Sequence, residues 1–360
     1  MKKILLIALG LFMFMAIYGG MNYYVYKSIV AGIEIAGITL ILVRLSFWVL
    51  GTAYIGGQIL KRKVTTSNLT YLGSVWMGIL GISMTIFLVR DLSAWLLPID
   101  NDLYLVAYMI ILIMIIYSFF KVKAGPKIKC VDINRSKNNG KSTSIIHLAD
   151  IHLGVMTSEK WLEDVVKKVN DLNGDMVVIT GDMVDDSFHI VKKFAPKMAS
   201  IKAKNGVFAV AGNHEHYQGI HNFYEFCKAA NITVLDNESI MVDDKINLIG
   251  IDDNLVKSGT LYQKVGELIG KDKDSYNVLL LHQPVGFNKL SEMGVHLQLS
   301  GHTHKGQLPP LNMLVPIKYP YSYGLHSLGN SHIYTTSGTG TWGPPMRLFT
   351  NSEIVRINVS

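Results

Sequence analysis

The sequence predicts a protein of two halves, an N-terminal α-helical transmembrane bundle and a C-terminal α/β domain. Three observations predict it. Hydrophobic residues make up 49% of the 360, mean hydropathy is +0.28, and the excess lies in long runs before residue 122. Residues 1–129 hold 12 Lys and Arg against 4 Asp and Glu, whereas the remainder holds 22 against 23, so the high pI belongs to the N-terminal half. All 12 histidines lie at or after His147. A basic balance confined to the membrane half argues against nucleic-acid binding. The expected boundaries are a transmembrane domain of about four helices over 1–122, a basic and polar linker over 123–144, and the α/β domain over 145–360.

In chain order, residues 4–26 form an apolar run behind Lys2 and Lys3. The run is too long for a signal-peptide core, lacks a small-x-small cleavage site, and reads as a first span. Residues 29–60 follow, longer than one span needs and carrying Arg44; then come 72–89 and 103–120. Each meets the requirement of about 20 apolar residues. Arg44 is open between marking a lipid or ion path and snorkelling to an interface or pairing with Glu34. Gly56, Gly57, Gly78 and Gly81 are expected to let helices pack closely. Lys2 and Lys3, then Lys61, Arg62 and Lys63, then Lys121, Lys123, Lys127 and Lys129 flank the first, second and fourth runs. The positive-inside rule then places both termini in the cytoplasm of a multi-pass protein of the cell membrane. Cys130 and Cys227 are too few and too far apart for a disulfide framework and read as free thiols.

The linker is Lys-rich and then nearly devoid of apolar residues from Asn134 to Ser144. Beyond it, Ile145-Ile146 reads as a strand. Trp161, Leu162, Val165, Val166 and Val169 recur at helical spacing, and 176–180 is the next strand. This is a strand–helix–strand unit with a right-handed crossover. Residues 207–211, 278–281 and 295–299 repeat the buried-strand pattern, and 240–242 with 246–251 reads as a hairpin around Asp243-Asp244. Residues 333–336 and 354–359 are late strands.

Five polar motifs close these apolar runs: Asp150-Ile-His152, Gly181-Asp182, Gly212-Asn213-His214-Glu215, His282, and Gly301-His302-Thr303-His304. In an open α/β sheet, ligands gather where loops converge at strand ends. Asp150 and His152, two apart, point to one side of an extended chain. The glycines at 181, 212 and 301 are expected to turn the backbone so that the next side chain faces the site. Carboxylate and imidazole donors suit Mn, Fe, Zn or Co better than Mg or Ca. Two such ions would acidify a bridging water and clamp an in-line phosphoryl displacement.

The ordered set D-x-H, G-D, G-N-H-E, H, G-H-x-H resembles the calcineurin-like metallophosphoesterase superfamily over about 145–360. The resemblance implies a four-layer αββα sandwich and a dinuclear phosphoesterase, with manganese among its candidate metals. It also implies roles. Asp150, His152, Asp182 and His304 would bind the first metal, and Asp182, Asn213, His282 and His302 the second, with Asp182 as the bridge. His214 would contact the phosphate and help protonate the leaving oxygen. Glu215 would orient His214 or a neighbouring loop. The tail from Gly338 to Arg347 resembles a membrane-associated branch, and Arg347 is open between a phosphate contact and a loop cap. Lys305 departs from that branch's Gly and is expected to face solvent; Ala149 departs from its Ser. His216 is an outer-sphere candidate, and Asp185 a support for the Asp182 loop. The expected partners are a lipid bilayer and a phosphate ester, lipid-linked esters included. The alternative is a non-catalytic phosphate-binding or regulatory membrane protein on the same fold, which loss of ligands would mark.

Overall fold

The computed structural model describes residues 2–33, 35–60, 67–97, 103–134, 142–243, 246–269 and 275–360. Glu34, Asp244 and the Lys61-Arg62-Lys63 cluster used for orientation lie outside the described residues. The chain forms two compact units. One comprises Met1–Lys121, Leu308–Pro310 and Gly343–Leu348; the other comprises Val122–Gln307, Leu311–Trp342 and Phe349–Ser360.

The first unit is built on α1 (Lys2–Gly32), α2 (Gly37–Leu60), α3 (Ser67–Leu96) and α4 (Leu103–Lys123). None has a polar stripe, and large apolar side chains such as Trp48 and Trp95 stand exposed, as suits helices whose solvent is hydrocarbon. Among the described residues, three helices are long and apolar enough to cross a membrane: Gly37–Leu60, Asn68–Leu96 and Leu103–Lys123. Four were expected. The described part of α1 carries Asn22, Lys27 and several tyrosines, which lower its hydropathy. Asn22 takes a hydrogen bond from Trp76 of α3 at 2.9 Å, and Tyr24 donates to Asp91 at 2.6 Å. Arg44 donates to Tyr26 at 2.7 Å.

Gly57 does let helices pack closely, since a Cβ there would meet Thr70 of α3. Among the described residues, Gly56 has only Leu69 near it. Gly78 and Gly81 face something else. A Cβ on Gly78 would meet Met346 and Pro344, and one on Gly81 the Pro309 carbonyl. Leu308, Met346 and Leu348 share a core with Ile82 and pack against Val75, Ile79, Ile115 and Phe119. Two late chain segments are therefore part of the helical unit.

The second unit opens with β1 (Lys127–Ile133), β2 (Thr143–Leu148), α5 (Glu159–Asp171), β3 (Met176–Thr180), α6 (Phe188–Val191), α7 (Ala195–Met198) and β4 (Val207–Val210). It continues with α8 (Asn213–Gln218), α9 (Ile220–Ala229), β5 (Thr233–Val234), β6 (Glu238–Val242), β7 (Ile246–Ile251), α10 (Asn254–Ser258) and α11 (Leu261–Leu268). β8 (Tyr276–Leu281), α12 (Phe287–Glu292), β9 (Leu297–Ser300), α13 (Leu311–Lys318), β10 (Gly324–Leu328), β11 (Ser331–Thr335) and β12 (Glu353–Val359) complete it. The strands form two six-stranded sheets, ordered β1-β12-β2-β3-β4-β5 and β10-β11-β9-β8-β7-β6. The central strands are parallel: Ile146 pairs with Val177, Val178 with Phe208, and Leu280 with Leu299. The β6–β7 pair is the expected antiparallel hairpin.

Buried on both faces, the central strands are apolar throughout, and their two faces feed different cores. Val177 and Ile179 of β3 pack with α5, which is capped by Ser158 and buries Leu162, Val165, Val166 and Val169. Met176 and Val178 instead join Val278 and Leu280 of β8 between the sheets. Leu279 and Leu281 face outward against Leu261, Val265 and Leu290. The order is helices, sheet, sheet, helices, the four layers that the resemblance implied.

β1 corrects part of the reading of 123–144 as linker, of which 135–141 lie outside the described residues. Lys127–Ile133 is an edge strand in parallel register with β12, burying Val131 and Ile133. Its lysines hid the alternation; charge on an edge strand is also what discourages pairing with other chains.

Candidate metal centre

β2, β3, β4, β8 and β9 lie side by side within their sheets, and each proposed ligand leaves the C-terminal end of one of them. Asp150 and His152 follow β2, Asp182 follows β3, Asn213 starts α8 after β4, His282 follows β8, and His302 and His304 follow β9. Asp150, His152, Asp182, His302 and His304 all hold left-handed backbone, with φ of 52°, 54°, 50°, 70° and 48°. Such conformations cost of order 1–3 kcal/mol each and persist where the surroundings over-determine them. The turning therefore falls largely on the ligands. Of the three glycines, only Gly181 has positive φ, at +86°. Gly212 and Gly301 are needed for room: a Cβ would strike the Asp182 carboxylate in one case and the Asp150 carboxylate in the other.

Two clusters of the expected ligands result, and a third grouping joins His152 to Asp185 and His214. In the first, Asp150, His152 and His304 are all buried. His152 Nε2 and His304 Nε2 lie 3.0 Å apart, and His304 Nε2 lies 3.5 Å from Asp150 Oδ1. In the second, Asp182, His282 and His302 converge. His282 Nε2 lies 3.1 Å from Asp182 Oδ2 and 3.2 Å from His302 Nδ1. The backbone N–H of His302 donates to both Asp150 oxygens, at 3.1 and 3.0 Å, which ties the clusters together. Asn213 is buried, and among the described residues its Oδ1 has no hydrogen-bond partner. An orphaned buried amide oxygen needs a reason, and a cation supplies one. Imidazole nitrogens and carboxylate oxygens converging in this way fit two divalent ions.

Burial and mutual charge shift these groups strongly. Burial pushes Asp150 up to about 6, against the pull of His282. Burial resists charge on His152, yet Asp185, Asp182 and Asp150 outweigh it and raise the imidazole to about 9. Burial, with His282 beside it, lowers His302 to about 3, so its ring is neutral. Asp182 resists its own burial and is held well below the carboxylate range, chiefly by His282.

Glu215 holds the Asp182 loop, one of its two expected roles. Its carboxylate accepts four backbone N–H bonds: from Gly212 and Asp182 at 2.7 and 3.0 Å, and from Met183 and Val184 at 2.7 and 2.9 Å. Burial pushes it up to about 7, while those donors favour the ionised form. Asp185 does more than support a loop. Its Oδ1 accepts from His152 Nδ1 at 2.9 Å and from His214 Nδ1 at 2.8 Å. Its position three residues after Asp182 hinted at proximity, but nothing local names two imidazoles 33 and 29 residues away. His214 also donates its backbone N–H to Asp182, at 2.9 Å.

The other candidates have contacts of their own. His216 pairs with Asp252, at 2.9 and 3.0 Å, and with Asn254 at 3.0 Å. Arg347 belongs to the helical unit, where it is fully buried and its backbone N–H donates to Ser118. Lys305 does not simply face solvent; its Nζ sits 4.1 Å from the Tyr323 ring centroid. His147 is structural, buried against Thr180 at 2.7 Å.

A family model described as calcineurin-like phosphoesterase matches residues 143–306. An uncharacterized metallophosphoesterase of Helicobacter pylori is 35% identical over 283 residues, covering 78% of this chain and 76% of that protein. One from Campylobacter jejuni is 31% identical over 97% of both chains. A bovine transmembrane protein with metallophosphoesterase domain is 28% identical over 70% of this chain and 61% of its own length.

Proposed function

The chain belongs to the calcineurin-like metallophosphoesterase family, and from that premise we propose that it is a membrane-anchored hydrolase of a phosphomonoester or phosphodiester, working with two divalent ions. The observation that carries the reading is the pair of ligand clusters, together with a buried Asn213 at the start of α8 whose Oδ1 is left without a hydrogen bond among the described residues. The residues present would hold one ion at Asp150, His152 and His304, and the other at Asn213, His282 and His302, with Asp182 between. Mn, Fe, Zn and Co all suit these donors, and such ions supply Lewis-acid charge at a phosphoryl group.

His214 is the proton donor in this reading. Asp185 takes its Nδ1–H, which leaves Nε2–H to serve the leaving oxygen. Burial disfavours its charge, but Asp185 and Asp182 outweigh burial and raise its pKa. The purified full-length protein should carry about two transition ions per chain and, with Mn, release product from a phosphate ester. A panel of phosphomonoesters and phosphodiesters identifies the class. No ion bound after reconstitution with Mn, Fe and Zn would sink the reading.

We further propose that α1 is the fourth span, that both termini are cytoplasmic, and that the substrate is a phospholipid or lipid-linked phosphate. Lys121, Lys123 and Lys127 would hold anionic head groups near the second unit. Lys121 lies over the Tyr117 ring at 5.6 Å, and Lys129 over the rings of Tyr323 and Tyr334 at 4.7 and 5.1 Å. A reporter fused after Ser360 tests the side, and signal only from an exported reporter refutes it. Equal hydrolysis in vesicles of one ester with and without its lipid tail removes the lipid preference.

A further inference from the structure

An imidazole that binds a metal must present one bare nitrogen and donate the N–H of the other. Two of the ligand histidines have an obvious acceptor for that N–H: Asp185 Oδ1 for His152 Nδ1, and the Thr180 carbonyl for His282 Nδ1, at 2.8 Å. His302 has neither. Its outer nitrogen, Nε2, lies 3.0 Å from the hydroxyl of Tyr319, just past α13. A phenol can donate or accept, so that contact alone does not decide which nitrogen of His302 carries the proton.

The decision comes from two residues further out. Asp253 is fully buried, and both of its oxygens accept from Gln283 Nε2, at 2.9 and 3.0 Å. A carboxylate only accepts, so the Gln283 amide is turned with its NH2 toward Asp253 and its carbonyl away. That carbonyl, Oε1, lies 3.2 Å from the Tyr319 hydroxyl and can only accept from it. The Tyr319 proton is thereby committed to Gln283. The phenol oxygen faces His302 with lone pairs, and His302 Nε2 must donate. Nδ1 is left bare, 3.2 Å from His282 Nε2 and in the second ligand cluster.

We propose that Asp253, Gln283 and Tyr319 form a one-way hydrogen-bond relay that locks His302 in the tautomer able to take the second metal. They are positioning residues, which touch no substrate and act through His302. The relay rests on the dinuclear reading above, and the experiment separates the two. The full-length protein is titrated with Mn(II) alone by calorimetry, and with Co(II) alone by visible absorption. Wild type should take up two ions. Tyr319→Phe keeps the ring and removes the hydroxyl, and should weaken one ion by about 10–100-fold while sparing the other. The Co(II) bands of one site should change, and the melting temperature of the metal-free protein should not. Gln283→Leu should weaken the same ion, and the double variant should bind no worse than Tyr319→Phe, because one path has been cut twice. Gln283→Leu also serves if Tyr319→Phe fails to fold. Wild-type affinity for both ions in either single variant, or additive losses in the double, overturns the relay alone. A wild-type chain that takes up no metal overturns the dinuclear reading and the relay together.

Discussion

The two ligand clusters use the same donor types but are steadied by different partners. In the first, His152 leans on a full carboxylate, Asp185, and its basicity rises. In the second, His282 leans on a backbone carbonyl and is raised by Asp182 against its burial, while His302 leans on a phenol and stays neutral under burial. An anionic partner makes an imidazole a better donor to a cation, so the first cluster should hold its ion more tightly. The residues that distinguish the two positions lie one contact beyond the ligands.

The comparison breaks most completely at Asp182, the residue proposed to serve both positions. Asp182→Ala should drop metal content from about two ions to fewer than one, with activity near background, as elemental analysis and turnover would report. If the loss is confined to one ion, the proposed bridge is not a bridge. Next, His214→Ala should keep both ions while turnover falls about 10²–10⁴-fold, the range for general-acid assistance. Loss of metal in that variant would move His214 among the ligands. Asp185→Asn keeps the accepting oxygen but removes the charge. It should weaken the first ion by about 10–100-fold and leave the second, bringing the two affinities together. Equal affinity losses at both ions would show that charge on Asp185 does not set the difference.

The smallest effect concerns the shared wall of the site. Thr180 offers its hydroxyl to His147 and its carbonyl to His282. Burial lowers His147 to about 3, so the folded chain keeps it neutral where the unfolded chain would protonate it. The stabilisation is complete above the unfolded value of about 6.5 and is lost as pH falls below it, at about 1.4 kcal/mol per unit until the folded value is reached. Melting of the metal-free protein from pH 7.5 to 5 should show this slope, and His147→Gln should flatten it. An unchanged slope in that variant would assign the acid sensitivity elsewhere.

Much of this site is legible in the sequence, because five of its motifs end apolar runs and parallel strands deliver their ends to one edge. Asp150, Asp182, Asn213, His282 and His302 stand out for that reason. Their backbone conformations do not stand out. Left-handed φ at Asp150, Asp182 and His302 reflects loops squeezed between neighbouring strands, and the same crowding makes Gly212 and Gly301 small rather than flexible. β1 was hidden because Lys127 and Lys129 interrupt its apolar alternation, which only pairing with β12 reveals. Gly78 and Gly81 looked like helix-packing residues, but contacts more than 200 residues away in sequence occupy the space.

By itself the sequence determined the apolar helices, the buried strands and the set of donors, since these depend on local composition, spacing and chemical type. Tertiary structure alone decided that Asp185 serves two imidazoles, that Glu215 gathers four amides, that Arg347 is buried in the helical unit, and that a tyrosine and a glutamine stand between Asp253 and His302. The physical reason is that a hydrogen bond's partner and direction depend on distances of about 3 Å between residues far apart in the chain, and no local pattern encodes those.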